Sequence, residues 1–292
     1  PMSFYEAGEV TISDAIGIPF RILDRSPIGG GCINRAEKLA GSGKAFFLKA
    51  NLASFLSQFD NEIASLRELA NCKTVRTPKT IASGVVGETS YLVLEYIPIG
   101  RPENNGWKLL GEQLASLHQK FGTSFGWNRD NAIGATPQRN TPTNDWIAFY
   151  QEHRLAFQLE LAAKKGFPLV EAQTLLNSIP RFFEDYNPKP SLLHGDLWSG
   201  NVSFDQDGRP FVYDPCCYYG DRETDLAFTE FFGGFNLDFY KAYNAAYPLD
   251  SGYEQRKTLY NLYHSLNHFN LFGPPYDRQS ASMASELLAM AG

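Results

Sequence analysis

Three polar side chains with a regular spacing follow an apolar run in the middle of the chain. Asp196 and Asn201 are five residues apart in LLHGDLWSGN, residues 192–201, and Asp214 closes the apolar run PFVYD thirteen residues later. Transfer of a phosphoryl group to a hydroxyl needs a carboxylate to accept the proton, and amide and carboxylate oxygens to hold magnesium. The series supplies these groups in that order, although Asp and Asn also populate turns for backbone reasons. It predicts Asp196 as the catalytic residue and Asn201 and Asp214 as metal ligands.

A lysine and a glutamate in the first part of the chain complete such a site. Lys49 ends the apolar run AFFLKA, and a lysine on a buried strand needs an anionic partner. Glu62 lies thirteen residues further on, in a segment whose apolar residues recur at helical spacing. Protein kinases hold nucleotide phosphates with a lysine paired to a helix glutamate. Alone, an ordinary surface pair is an equal alternative, but the combination with the aspartate series favours a kinase.

A glycine triplet is the candidate phosphate loop. Gly29, Gly30 and Gly31 join two predicted strands, where backbone amides can approach phosphate oxygens without side-chain obstruction. A glycine turn without a ligand is the alternative for the triplet taken by itself.

Composition limits the class of protein and its partners. The 292 residues are 43% hydrophobic and 20% charged, as in a globular protein that folds by burial. A net charge of -6 without a long basic run makes nucleic acid an unfavourable partner. No segment approaches the roughly 18 apolar residues that cross a bilayer, and the start, PMSFYEAGEV, lacks the pattern of a secretory signal. Four cysteines without a CxxC spacing indicate a reducing compartment, so we expect a cytoplasmic enzyme.

The elements that must position these residues divide into two parts. Residues 1–97 contain short β-like runs joined by glycine turns, including a hairpin at 41–43, and the amphipathic helix. Pro98, Gly100 and Pro102 interrupt the pattern, and residues 98–292 are mainly helical. Residues 123–144 are too long for an ordinary connection and form a candidate functional loop. We therefore expect an α+β chain with an N-lobe at 1–97 and a C-lobe at 98–292.

Several longer stretches resemble one family of kinases. LHGDLWSGN, followed by DPCCYYGDRETDLAF and FFGGF, is similar to the fructosamine kinase (ketosamine 3-kinase) family, in the aminoglycoside-phosphotransferase-like branch of the protein-kinase-like fold. GGGCINRAEKL, NAIGATPQRN and LNHFNLFG also resemble it, so the likeness covers nearly the whole chain. It implies a bilobal fold with an antiparallel N-lobe sheet carrying one helix, a mainly helical C-lobe, and ATP with Mg²⁺ between them.

The resemblance also implies a role for individual residues. Asp196 is the expected proton acceptor, Asn201 and Asp214 the magnesium ligands, Lys49 the phosphate contact and Glu62 its partner. Supporting roles fall to the adenine-pairing hinge Glu95, Tyr96 and Ile97, to His194 as a scaffold without proton transfer, and to Asp225 as a brace for the catalytic loop. Cys32, next to the glycine triplet, is a candidate for redox control of ATP binding, with a small buried residue as the alternative.

The implied reaction moves the γ-phosphoryl of ATP to the 3-hydroxyl of a ketoamine such as a ribulosamine or fructosamine, on a small amine or a glycated protein, and so initiates deglycation. Candidate acceptor contacts follow the catalytic residues in sequence, namely Trp198, Tyr218, Tyr219, Asp221 and Glu223. The two acidic residues are also placed to pair with Arg222 or to cap the next helix, which is the favoured alternative. An aminoglycoside or choline kinase and a nucleotide-binding protein without catalysis remain rival functions, and the protein is expected to be a monomer or homodimer.

Overall fold

The computed structural model describes residues 1–30 and 33–292. The first part of the chain forms one antiparallel sheet with a helix on each side. Its elements are α1 (Phe4–Ile16), β1 (Asp24–Pro27), β2 (Arg35–Gly41), β3 (Lys44–Leu52), α2 (Leu56–Cys72), β4 (Thr80–Val86) and β5 (Thr89–Glu95). The strand order is β1-β2-β3-β5-β4, so β3 is the central strand. The predicted hairpin is confirmed, since β2 and β3 pair from Arg35 and Ala50 to Gly41 and Lys44 around the turn.

Helix α2 packs on one face of this sheet, as its periodicity predicts. Phe59, Ile63 and Leu66 are buried and form one core cluster with Leu92 and Leu94 of β5. Glu62 precedes Ile63 on this helix, and its side chain is 14% exposed. The packing of α2 on the sheet therefore fixes where Glu62 lies along strand β3.

Helix α1, which was not predicted, covers the opposite face of the sheet. Ile12 packs with Phe20, Leu39, Leu48 and Val93 in a second core cluster. A capping box begins the helix, because the Glu6 amide donates to Ser3 Oγ at 3.2 Å and the Ser3 amide donates to Glu6 Oε2 at 2.8 Å. The S-x-x-E pattern was the available signal.

The second part of the chain is mainly helical, with short strand pairs. Its elements are α3 (Gly106–His118), β6 (Asn131–Ile133), β7 (Thr136–Gln138), α4 (Trp146–Tyr150), α5 (Phe157–Lys164), α6 (Ala172–Ser178), β8 (Ser191–Leu193), β9 (Val202–Phe204), β10 (Pro210–Val212), β11 (Tyr218–Gly220), α7 (Glu223–Thr229), α8 (Leu237–Ala246), α9 (Tyr253–Phe272) and α10 (Tyr276–Ala291). A π-helical turn, Gln151–Ala156, joins α4 to α5. The predicted hairpin turning at Asp207-Gly208 is confirmed as β9–β10.

A single large core holds these helices together. It includes Leu114 of α3, Leu226 of α7, Leu266 of α9 and Leu287 of α10, each at most 2% exposed. Leu69 at the end of α2 also belongs to it, so the two parts of the chain share buried surface. Within the described residues, no helix combines the length and apolar character that crossing a membrane requires.

Candidate active site

A buried ion triad lies where the sheet meets the helical part. Lys49, in the middle of β3, is 7% exposed. Its Nζ donates to both carboxylate oxygens of Glu62 at 2.8 Å and to Asp214 Oδ1 at 2.6 Å. Burial alone would lower the pKa of Lys49, but Asp214 and Glu62 outweigh it and raise the pKa above its usual value. The Lys49 ammonium therefore stays charged. It lies where β3, α2 and the segment carrying Asp214 meet.

The catalytic loop follows β8, and a buried carboxylate holds it by accepting hydrogen bonds from its backbone. Asp225, in the first turn of α7, is 2% exposed. Its Oδ2 accepts the His194 amide at 2.9 Å and its Oδ1 accepts the Gly195 amide at 3.0 Å. Gly195 has φ +93, and a Cβ there would lie 2.0 Å from the Cys216 carbonyl oxygen. Only glycine fits this turn, which presents the next residue, Asp196, to the site.

His194 supports the loop from within. The side chain is 1% exposed, and burial lowers its pKa even though Asp225 acts in the opposite direction. The neutral ring accepts the Asp196 amide at Nδ1, 3.1 Å away, so its Nε2–H donates to the Tyr213 carbonyl at 2.8 Å. Both ring nitrogens are thus engaged with the backbone, which places His194 as a scaffold between the loop and the segment carrying Asp214.

The structure brings together the aspartate–asparagine–aspartate series of Asp196, Asn201 and Asp214. Asn201 Nδ2 donates to the Asp196 carbonyl at 2.8 Å and to Asp196 Oδ2 at 3.2 Å, which leaves Asn201 Oδ1 as a ligand. The Asp214 side chain is 46% exposed and reaches the same site through its contact with Lys49. Burial first, and Asp214 second, raise the pKa of Asp196 well above its usual value. Two carboxylates and an amide oxygen therefore converge near one buried lysine.

This set of oxygens fits magnesium bound together with nucleotide phosphates. Magnesium prefers hard oxygen ligands and in kinases takes one or two from the protein and the rest from phosphate and water. Asn201 Oδ1 and Asp214 Oδ2 are such ligands, and Asp214 is exposed enough to reach an ion in the cleft. Among residues 1–30 and 33–292, no group of three or more His, Cys, Asp or Glu side chains forms a metal site. Asn201 and Asp214 would leave the remaining positions around such an ion to phosphate and water.

The glycine turn and the end of β5 are the segments predicted to contact the nucleotide. A Cβ added at Gly29 or Gly30 would meet no atom within 4 Å, and Gly30 has φ +103, so this backbone is open to a ligand. Gly31 and Cys32 lie outside the described residues. Glu95 ends β5, and its carboxylate accepts the Lys79 amide and pairs with Arg76, whereas Ile97 is 7% exposed and Tyr96 lies under Lys38. The chain then passes into the second part of the molecule.

The candidate acceptor contacts lie in two different environments. Trp198 is half-buried, next to the catalytic loop, with its ring centroid 5.3 Å from that of Phe232, which is 45% exposed. Tyr218, by contrast, is buried beneath the Arg154 guanidinium at 4.1 Å, and the Tyr219 hydroxyl donates to Glu68 at 2.7 Å. Trp198 is therefore the candidate that faces the open side of the loop.

Asp221 and Glu223 are structural residues and do not face a substrate. Both are 0% exposed. Asp221 Oδ1 accepts the Glu223 amide at 3.1 Å and the Tyr186 hydroxyl at 2.7 Å, and Glu223 pairs with Arg256 through two hydrogen bonds of 2.7 and 3.0 Å. Asp221 thus accepts the amide of the first residue of α7, and the cation that pairs with Glu223 is Arg256. Arg222 instead donates to the Tyr247 and Pro248 carbonyls. Complete burial with satisfied partners removes both residues from contact with an amine.

One supporting residue had no signal in the sequence. His118, at the end of α3, is 0% exposed and lies 2.9 Å from Asp225 Oδ2 through Nε2 and 2.8 Å from the Tyr243 hydroxyl through Nδ1. Burial would raise the pKa of Asp225, but His118, His194 and the Gly195 amide outweigh it and lower the pKa. A lone histidine on a helical face reads as an ordinary core residue until Asp225 is seen beside it.

Solved structures identify the fold. A crystal structure of a Haemophilus somnus protein described as a fructosamine-3-kinase superposes with a TM-score of 0.91 at 29% identity, covering 98% of this chain and 100% of the other. The aminoglycoside phosphotransferase APH(4)-Ia superposes at 0.60 with 17% identity over 97% of this chain and 99% of the other, a likeness of fold alone. The sheet, the Lys49–Glu62 pair and the Asp196–Asn201–Asp214 set thus define a phosphotransferase of the protein-kinase-like fold.

Sequence relatives narrow this class to one family. The fructosamine kinase family model matches residues 5–290. A probable ketoamine kinase of Synechocystis is 44% identical over 278 residues, 95% of this chain and 94% of its own. The chloroplastic protein-ribulosamine 3-kinase of Arabidopsis thaliana is 40% identical over 269 residues, 90% of this chain and 82% of its own. The chain belongs to the fructosamine kinase family, which confirms the resemblance and the enzyme class.

Replacing Gly195 with alanine tests the geometry of the catalytic loop. Gly195→Ala is expected to lower kcat by at least about 100-fold, because the Cβ clash with Cys216 displaces the neighbouring Asp196 from its position. Gly8→Ala is the matched control, since Gly8 lies inside α1 with no atom within 4 Å of an added Cβ. The control should keep full activity and gain about 0.5–1 kcal/mol of stability. Steady-state kinetics and thermal unfolding check both variants, and full activity of Gly195→Ala would contradict the proposed geometry.

Proposed function

We propose that the protein transfers the γ-phosphoryl group of ATP to the 3-hydroxyl of a ketoamine, and so initiates removal of the sugar from the amine. One observation carries the proposal: Asp196, Asn201 and Asp214 converge beside the charged Lys49. Family membership and the names of the Synechocystis and Arabidopsis relatives support the acceptor. ATP is the expected donor, since neighbouring structures of the same fold were solved with ADP and AMP-PNP.

Each residue has a separate part in the transfer. Lys49 contacts the phosphates while Glu62 holds it in place, and the Gly29–Gly30 backbone covers them. Asn201 and Asp214 would hold Mg²⁺, which when bound would supply charge neutralisation of the transferred group. Asp196 accepts the proton of the attacking hydroxyl. Because such transfers depend mainly on positioning and charge stabilisation, the buried supports of these residues matter as much as the residues themselves.

The environment of Asp196 suits a base. Burial and the neighbouring Asp214 raise its pKa, and a carboxylate with a raised pKa accepts a proton more readily than an ordinary aspartate. The Asn201 side chain donates to Asp196 Oδ2, which orients the carboxylate. The other oxygen, Oδ1, is then available to the acceptor hydroxyl.

An aromatic face beside the catalytic loop supports a sugar acceptor. Trp198, Phe232 and His268 form this face, with centroid distances of 5.3 Å between the first two rings and 5.4 Å between the last two. Gly200 permits the arrangement, because an added Cβ would lie 2.3 Å from the Trp198 ring. The exposed face of an aromatic ring suits the carbon face of a sugar, whose hydroxyls would then be directed toward Asp196.

A kinase for an aminoglycoside or choline is the alternative within the same fold, and a nucleotide-binding protein without catalysis is the alternative outside it. The intact catalytic set weighs against the latter, and the relatives' names weigh against the former. The cytoplasmic location, the monomeric or homodimeric state and the absence of nucleic-acid and membrane partners stay predictions.

The function is tested by presenting purified protein and Mg·ATP with ribulosamine, erythrulosamine and fructosamine adducts of lysine, free and on a glycated protein. We expect ATP consumption that depends on the ketoamine, with phosphate at the 3-hydroxyl by NMR. Kanamycin and choline serve as acceptor controls. Turnover of either control without turnover of any ketoamine would reject the proposed acceptor, and nucleotide binding without any turnover would favour the non-catalytic alternative.

Asp196→Asn separates the catalytic role of this carboxylate from its structural cost. We expect kcat to fall by about 10²- to 10⁴-fold while nucleotide binding persists, since the variant keeps the shape of the loop but loses the base. The raised pKa means that the folded state retains a proton that the unfolded state has lost, so wild-type stability falls as pH rises from about 4 through that pKa. Without nucleotide, the melting temperature of the variant relative to wild type should therefore increase with pH. Undiminished turnover would remove Asp196 from the base role.

Trp198→Ala tests the acceptor face. The KM for the ketoamine should rise about ten-fold, because stacking and burial on an aromatic ring contribute about 1–2 kcal/mol, while the KM for ATP stays unchanged. Phe121→Ala is the control, since Phe121 is also an exposed aromatic residue, at 46%, and its ring packs beside Lys189. Equal ketoamine KM values for Trp198→Ala and wild type would exclude contact with the acceptor.

A further inference from the structure

Three buried amide side chains lie behind the active site, in the long loop whose role the catalytic assignment leaves unexplained. Asn131 and Gln138, on strands β6 and β7, are 5% and 2% exposed, and Asn140 is 0% exposed. Gln138 Nε2 donates to Asn131 Oδ1 at 2.9 Å, and Asn140 Nδ2 donates to the same oxygen at 3.0 Å. We call these three residues the amide cluster. Polar groups buried so completely are retained only where their hydrogen bonds are met, so the cluster has a defined geometry.

The amide cluster ends on the backbone that follows Asp214. Asn131 Nδ2 donates to the Cys217 carbonyl at 2.8 Å, and Gln138 Nε2 approaches the Cys216 carbonyl at 3.5 Å. Asp214 precedes these residues by two and three positions. The loop at 131–140 therefore contacts the segment that carries a predicted metal ligand, although it is distant from it in sequence.

The same segment is held from its other sides as well. Ser65 Oγ accepts the Cys217 amide at 3.0 Å, and Ser65 lies on α2, three residues after Glu62. The Cys216 amide donates to the His194 carbonyl at 2.9 Å. Cys217 is thus fixed at its amide by the helix that holds Lys49 and at its carbonyl by the amide cluster.

Asp214 needs such support because its own conformation is unfavourable. It has φ +53, a left-handed conformation that is unfavourable for a non-glycine residue. Contacts in the surrounding structure must therefore hold it. Its side chain is also 46% exposed, so packing around the carboxylate contributes little to its position. The rigid part of the segment is the buried Cys216–Cys217 backbone.

Arg154 holds the amide cluster from behind. This arginine, 1% exposed on the π-helical turn, donates from Nη2 to Asn140 Oδ1 at 2.6 Å and from Nη1 to the Arg139 carbonyl at 2.6 Å. Its guanidinium also lies 4.1 Å from the Tyr218 ring centroid. Charged donors make the stronger hydrogen bonds, so Arg154 orients Asn140 and leaves the Nδ2 of Asn140 directed at Asn131.

We propose that the amide cluster, above all Asn131, is a positioning device for the magnesium ligand Asp214. It acts through the Cys217 carbonyl and contacts neither the metal nor the nucleotide. The proposal rests on the proposed function for the identity of the metal. Residues that orient a metal ligand at one remove typically affect metal affinity by about 10- to 100-fold, so the effect is measurable without turnover.

The decisive variant is Asn131→Asp. It keeps the size and the acceptor oxygen of Asn131 but replaces the donor to the Cys217 carbonyl with a second oxygen. Asn270→Asp is the matched control, because Asn270 is 3% exposed in the same part of the molecule and donates to the Gln158 carbonyl and Oε1 at 3.2 and 2.7 Å. Tyr263→Phe is a milder second variant that removes only the hydroxyl donated to Gln138 Oε1 at 2.9 Å.

Two measurements that need no acceptor test the variants. Calorimetric titration with AMP-PNP at several Mg²⁺ concentrations should show that Asn131→Asp needs about ten-fold more Mg²⁺ for the same affinity, with unchanged AMP-PNP binding in the absence of Mg²⁺. Mass spectrometry of maleimide labelling should show about ten-fold faster modification of Cys216 and Cys217, which are 5% and 0% exposed in the native protein. Tyr263→Phe should change both in the same direction by a smaller factor, and Asn270→Asp should change neither.

Wild-type Mg²⁺ dependence and labelling in Asn131→Asp would overturn the proposal, as would equal changes in Asn270→Asp. If Asn131→Asp does not fold, Tyr263→Phe decides by the same two readouts, and its wild-type behaviour in both also counts against the proposal. A protein that fails to phosphorylate any ketoamine but shows the expected Mg²⁺ shift would reject the acceptor and leave the positioning role in place.

Discussion

The site depends first on the burial of one lysine charge. Lys49 lies in the central strand with two carboxylates within 2.8 Å, one from α2 and one from the segment after β10. An ammonium that is removed from water and left without partners is strongly unfavourable, and loss of one partner from a buried pair costs about 3–5 kcal/mol. The sheet, the helix and the Asp214 segment are therefore constrained to approach one another at this point. The point where they meet, at Lys49, is the proposed binding position of the nucleotide phosphates.

A second buried charge sets the catalytic loop relative to that point. The Asp225 carboxylate accepts two consecutive backbone amides of the loop, and His118 from α3 is hydrogen-bonded to it. Since the His194 ring then bonds both to the loop and to the Tyr213 carbonyl, the loop and the Asp214 segment cannot shift independently. The position of Asp196 thus follows from buried hydrogen bonds to the backbone on either side of it. These bonds hold Asp196 in place although its own side chain is only half-buried and has few side-chain contacts.

The sequence predicted which polar residues converge at the site better than it predicted the residues that hold them, for a physical reason. Lys49, Glu62, Asp196, Asn201 and Asp214 were found because chemistry restricts both their types and their order, and the helix around Glu62 has a clear apolar period. His118 and the amide cluster join elements far apart in the chain, so neither composition nor spacing marks them. At DRETD the favoured structural alternative holds, since acidic residues near the site in sequence are buried. All seven residues of α7 are buried, Glu223 pairs with Arg256 and Asp225 is hydrogen-bonded to His118, partners that sequence position does not reveal.

Helix α7 also separates the support of the catalytic loop from the proposed acceptor face along its length. Its first turn carries Asp225 and supports the loop, whereas Phe232, just beyond its last turn, lies against Trp198 and remains 45% exposed. Gly233 and Gly234 follow with φ +99 and +88, a turn that allows the chain to leave the helix sharply. A change of side chain at the open end can therefore alter what packs against Trp198 without disturbing the buried hydrogen bonds at the other end. In the proposed function, this separation would let one protein-kinase-like core accommodate different acceptors, since the backbone supports of Asp196 and the proposed acceptor face have no side chain in common.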